Sequence, residues 1–131
     1  MAGIRSAVAG AVALGLALAG TGVALAHHGW SWTSAGVFIL KGKIVQAYYG
    51  NPHSQLTVAA EDGEWTVDLS PPLRASAAGF VEGVAAVGDD VIAIGNRAID
   101  GNKRHMKARR IVIGGAGYDV YPNDYPPDLG I

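Results

Sequence analysis

Val37-Phe38-Ile39-Leu40-Lys41-Gly42-Lys43-Ile44-Val45-Gln46-Ala47-Tyr48-Tyr49 is the stretch that decides the fold. Its β-branched and aromatic residues favour extended backbone. Gly42 in the middle predicts a bulge or a sharp bend. A long first strand bent in this way can serve both halves of a small barrel.

Outward from this strand, turn and strand signals alternate. Gly50-Asn51-Pro52-His53-Ser54 is turn chemistry, because Asn and Gly tolerate unusual backbone angles and proline fixes its own φ. Gln55–Ala60 reads as a second strand, closed by an Asp62-Gly63 hairpin turn. In the third strand Trp65, Val67 and Leu69 share one face, and Thr66 and Asp68 share the other. Ser70 before Pro71-Pro72 predicts a capped helix from Leu73 to about Phe80. Val91–Ile99 and Met106–Ile113 read as two more strands around an Asp100–Lys103 turn. His105 is then read as an exposed residue in a turn beside Lys103 and Arg104, with Lys107, Arg109 and Arg110 on a solvated face. Gly114–Gly117 reads as a flexible linker, and the chain from Tyr118 as an irregular tail. Three strands, a short helix and two strands is the order of a mainly β, OB-fold-like five-stranded barrel. A small open β-sandwich is the competing architecture.

The first 26 residues differ in kind. Met1–Arg5 is a short basic start, Ser6–Val23 is an almost unbroken run of Ala, Val, Leu and Gly, and Ala24-Leu25-Ala26 matches the small-x-small pattern of signal peptidase. The expectation is a signal peptide over 1–26, cleaved before His27, a barrel domain over 27–117 and a tail over 118–131. The apolar run is about long enough to span a bilayer. Its Gly/Ala richness and its cleavage site favour removal over anchoring, which leaves no membrane span after processing. The protein is then periplasmic or secreted.

Arg5 is the sole charge in that segment, so the mature chain carries nine basic and eleven acidic side chains and a net charge of about −2. This balance argues against nucleic acid, whose binders carry basic stripes. There is no cysteine. Disulfide frameworks, thiolate metal sites and thiol catalysis are thereby excluded together.

The chemistry-bearing residues cluster near the new N-terminus and the first turn. After cleavage, His27 offers a free α-amine and an imidazole that can chelate one metal in a ring. The amine, with an ordinary pKa near 7.7–8.0, yields its proton to a metal at modest cost near neutral pH. Nitrogen donors in a square array suit Cu(II). A further nitrogen can come from His28 or from His53, which the Asn51-Pro52 turn holds at a barrel rim. Copper is thus the expected cofactor, with His27, His28 and His53 as ligands. Against this stands a plain reading, in which an N-terminal His pair is a mobile polar start and His53 bonds its own turn. Trp30 and Trp32 are candidates for a ligand-binding face. They support the alternative of a non-metal module for an envelope protein, a glycan or a small ligand. A copper-dependent oxidase is a third reading, without a visible substrate platform. No carboxylate pair, nucleophile elbow or phosphate loop is present, so no catalytic residue is assigned.

His27-His28, the Gly42-Lys43-Ile44 bend, Asn51-Pro52-His53, Trp65 before the proline-rich turn, Gly88-Asp89-Asp90-Val91 and Gly95-Asn96-Arg97 together resemble a family of exported bacterial proteins of unknown function. The resemblance covers nearly all of the mature chain. Its most specific parts are the His-His start and the Asn-Pro-His turn. It implies an OB-like barrel in the cell envelope and no established activity.

Overall fold

The computed structural model of the chain describes residues 29–124. Gly29–Trp32, which fall outside the barrel unit, form a bend and turn in which both Trp side chains are half-buried. The barrel unit begins at Thr33. Its elements are β1 (Phe38–Tyr48), β2 (Gln55–Ala60), β3 (Gly63–Asp68), a short helix α1 (Pro72–Ala77), β4 (Asp90–Arg97), β5 (His105–Ile113), β6 (Ala116–Asp119) and a 3-10 turn (Pro122–Asp124). The strands run in the order β3-β2-β1-β4-β5-β6, and a parallel β3–β5 pairing closes the first five into a barrel. The OB-like, mainly β architecture expected from the strand order is the one observed. No helix among the described residues is long and apolar enough to cross a membrane.

β1 explains the closure. Its first half, Phe38 to Lys43, pairs with β4, and its second half, Lys43 to Tyr48, pairs with β2. Gly42 sits at the handover, where a Cβ would collide with the Ala59 carbonyl and lie 2.7 Å from Val58 Cγ1. Glycine is therefore needed for close backbone approach. The bulge itself lies at Val45, where the register with β2 slips between Ile44 and Gln46.

Alternation along the strands fills the interior. Leu40, Ile44, Leu56, Val58, Val67 and Met106 are almost fully buried. Trp65 stacks on Phe38 at 5.0 Å between centroids, and its indole Nε1 donates to Asp62 Oδ1 at 2.8 Å. Packing is thus the role of this tryptophan, as strand alternation suggests.

Three local expectations are corrected. The helix starts at Pro72, one residue ahead of the expected Leu73, and Pro71 instead of Ser70 takes the cap position. The Ser70 hydroxyl is buried without a hydrogen-bond partner among the described residues, and the helix ends early, ahead of Gly79 at φ +88°. The supposed glycine linker is a hairpin, with Gly114 and Gly115 both at positive φ, as tight primed turns demand. The supposed irregular tail supplies β6, and its Val120 reaches the core. Tyr118 packs edge-on against Phe80 at 6.0 Å, which is why a short Tyr-Asp-Val run without a period still adopts order.

Candidate functional site

His53 ends the β1–β2 turn, directly after a cis Asn51–Pro52 peptide. Ser54 then locks the turn to the barrel. Its N–H donates to the Ser70 carbonyl at 3.1 Å, and its carbonyl accepts from Leu69 N–H at 2.9 Å. His53 therefore stands on a fixed backbone beside the C-terminal end of β3.

Asp68, the last residue of β3, lies next to it and is 8% exposed. Gln55 Nε2 donates to Asp68 Oδ1 at 2.8 Å, and His105 Nε2 lies 2.7 Å from Asp68 Oδ2. His53 Nδ1 faces Asp68 Oδ1 at 3.9 Å and the Ser54 carbonyl oxygen at 3.3 Å. Two imidazoles and an amide thus converge on one buried carboxylate. Burial works to raise its pKa. The hydrogen bonds from His105 and Gln55 and the pull of both imidazoles outweigh burial and hold the carboxyl below its ordinary value.

The sheet register builds this cluster. Gln55 pairs with Asp68 across β2–β3, and Asp68 pairs with Lys107 across the parallel β3–β5 closure. His105 lies two residues before Lys107 in β5 and points to the same face. His105 therefore opens a strand instead of occupying an exposed turn, and its ring is bonded to Asp68. Lys107, expected on a solvated face, is 8% exposed. Its ammonium lies 5.4 Å from the Tyr121 ring centre. Burial depresses its pKa, the Asp68 charge opposes that, and Arg109 adds to it, with a net lowering.

His27 and His28 lie outside the described residues, so their place relative to His53 is not given by the structure. Trp30 and Trp32 are half-buried and both have partners. Among the described residues no group of three or more His, Asp or Glu side chains is arranged to hold a metal by itself. Elsewhere on the barrel, a shallow groove of about 690 Å³ runs along the start of β4 and the end of β5, lined by Lys41, Lys43, Glu61, Asp90 and Val112 among others. His105 sits at the opposite end of β5, so this groove is separate from the carboxylate cluster.

Sequence reasoning picked out His53 but missed Asp68, Gln55 and His105. The signal that could have found Asp68 is its place at the end of an alternating strand, directly before a Leu69-Ser70 pair that must be buried.

Among known proteins, a family model described as "Family of unknown function (DUF6152)" matches residues 15–107. No curated protein matches the chain. Among solved structures, a complex of TiaS with a tRNA and ATP is similar to it with a TM-score of 0.47 and 16% identity, over 59% of this chain and 18% of that one. A ZRD-deleted TiaS mutant in complex with agmatine is similar with a TM-score of 0.48 and 16% identity, over 64% of this chain and 26% of that one. The chain spans about a fifth of the length of the protein in the first complex.

Proposed function

The chain belongs to the family of unknown function DUF6152, and we propose that, once processed, it is an exported copper-binding β-barrel. The α-amine and imidazole of His27 chelate the metal, and His53, with His28 as the nearest substitute, completes the nitrogen set. The role of the barrel is to hold His53 on a rigid rim, and the processed terminus supplies the amine and imidazole of His27. Binding of this kind suits buffering or delivery of the ion.

The observation that supports this reading is the setting of His53. Ser54 N–H donates to the Ser70 carbonyl at 3.1 Å and the Ser54 carbonyl accepts from Leu69 N–H at 2.9 Å, so the neighbouring imidazole stands on a fixed backbone. Its Nδ1 faces the Ser54 carbonyl and Asp68, and its Nε2 has no hydrogen-bond partner among the described residues. A held ring with one open nitrogen is suited to serve as a metal donor.

Copper titration against a competing chelator tests the proposal. The comparison is between the exported protein, with its first residue verified by mass spectrometry, and a variant whose processed chain begins with one extra glycine before His27. The extra residue removes the amine–imidazole ring. Affinity falls by at least the roughly 10–100-fold that losing a partner one step removed from the metal costs a site. His53→Ala lowers affinity as well. Equal affinity for both N-termini, or a native first residue other than His27, refutes the copper reading and leaves the non-metal binding module in its place.

A further inference from the structure

We infer that Asp68, clamped by Gln55 and His105, is a positioning residue that fixes which ring nitrogen His53 presents to a metal, turning Nδ1 inward and leaving Nε2 as the donor. The inference rests on the copper reading for its purpose, but its structural content does not depend on copper.

A neutral imidazole carries one N–H and one lone pair, and its environment decides which nitrogen holds the proton. His53 Nδ1 faces two oxygens, the Ser54 carbonyl at 3.3 Å and Asp68 Oδ1 at 3.9 Å. Both acceptors favour a proton on Nδ1. Nε2 has no hydrogen-bond partner among the described residues, and the side chain is 31% exposed. The ring is therefore set with its lone pair on the nitrogen that has no competing partner. Metal-bound histidines commonly donate their other N–H to a carboxylate or a backbone carbonyl, which orients the ring and raises its basicity. Here both kinds of acceptor are already in place.

Asp68 is suited to this task by how firmly it is held. Gln55 binds Oδ1 at 2.8 Å and His105 binds Oδ2 at 2.7 Å, and strand pairing fixes its backbone on both sides. The carboxylate cannot rotate away from His53 without breaking one of these bonds. Its negative charge, 3.9 Å from Nδ1 on the inner side of the ring, also favours a cation on the outer nitrogen, at a longer range. His105 thereby acts at one remove: it steers the carboxylate that steers His53.

The test uses the processed protein labelled with nitrogen-15 at histidine. Long-range nitrogen–proton NMR spectra of the metal-free protein at neutral pH report the tautomer of each ring. The expected result is an Nδ1–H tautomer for His53 in the wild type and a shift toward a mixture in Asp68→Asn, which keeps the shape and loses the charge. In a parallel titration, copper affinity of Asp68→Asn falls about 10–100-fold. A wild-type His53 in the Nε2–H form overturns the inference whether or not the variant folds. So does a folded Asp68→Asn protein with unchanged tautomer or unchanged copper affinity. A wild type that binds no copper refutes the functional reading alone, and the tautomer still decides the positioning.

Discussion

Gly42→Ala is the sharpest test of how this barrel closes. Two effects oppose each other. Replacing glycine by alanine narrows the unfolded ensemble and, where the fold accepts it, stabilises by about 0.4–1 kcal/mol. Here the new methyl meets backbone: it collides with the Ala59 carbonyl oxygen and lies 2.9 Å from the Ala59 carbonyl carbon. Val58 Cγ1, at 2.7 Å, belongs to a fully buried β-branched side chain with little room to turn. Neither neighbour is the free end of a flexible chain, so the cost sits at the upper end of the roughly 1–3 kcal/mol for overpacking. The net loss is about 2 kcal/mol. For a domain of this size each kcal/mol moves the midpoint by roughly 4–8 °C, so Gly42→Ala melts roughly 8–16 °C below the wild type. Thermal unfolding followed by circular dichroism measures this directly. Gly101→Ala is the control, because no described atom lies within 4 Å of its added methyl and exposed substitutions stay within about 0.5 kcal/mol. If Gly42→Ala melts within two or three degrees of Gly101→Ala (a margin of about 0.5 kcal/mol), β1 does not hand over between β4 and β2 at this glycine.

Leu56→Ala, at a position with no exposed surface, costs about 2–5 kcal/mol, which a urea titration reads as a lower midpoint at unchanged slope. Asn96→Leu removes an amide that donates to the Ser34 and Gly36 carbonyls at 3.0 and 2.9 Å and accepts from Arg109 Nε at 2.8 Å. It costs about 2–3 kcal/mol for the stranded partners, and hydrogen exchange at residues 34–36 speeds up. Acid unfolding separates Asp68→Asn from the wild type. Because the folded pKa of Asp68 is lowered, its contribution is present above the ordinary value of 3.8 and is lost as pH falls below it toward the folded value. His53, His105 and Lys107 face this carboxylate, and the Asn variant, lacking the titrating group, shows a smaller loss of stability between about pH 5 and 3 than the wild type.

The fold was legible because the strands advertise themselves twice, by residue type and by alternation. Trp65, Val67 and Leu69 read as one face and are one buried face. The bend at Gly42 announced a strand shared between two partners. What a local reading misses is order imposed from a distance. Tyr118 and Val120 have no strand period, yet β5 offers an open edge and Phe80 offers a ring to pack on. Proline likewise overrode the cap: Ser70 has the right chemistry for an N-cap, but Pro71 takes the cap position itself and no side chain caps the helix.

The site divides along the same line. His53 was visible because Asn-Pro-His is a contiguous string whose turn chemistry acts locally. Asp68 and His105 are 37 residues apart and meet through the parallel β3–β5 pairing, which joins strands distant in sequence with no hairpin between them. No spacing rule foretells that meeting, because parallel register depends on closure and not on a turn. Read alone, His105 beside Lys103 and Arg104 looks like a solvated basic loop; one residue of strand pairing turns it inward to a carboxylate. The same pairing buries Lys107 on a face that alternation assigned to water. Closure thus does two things at once. It completes the core, and it assembles a charged cluster at the seam, so a change that loosens the β3–β5 pairing lowers stability and releases His53 from its orienting carboxylate together.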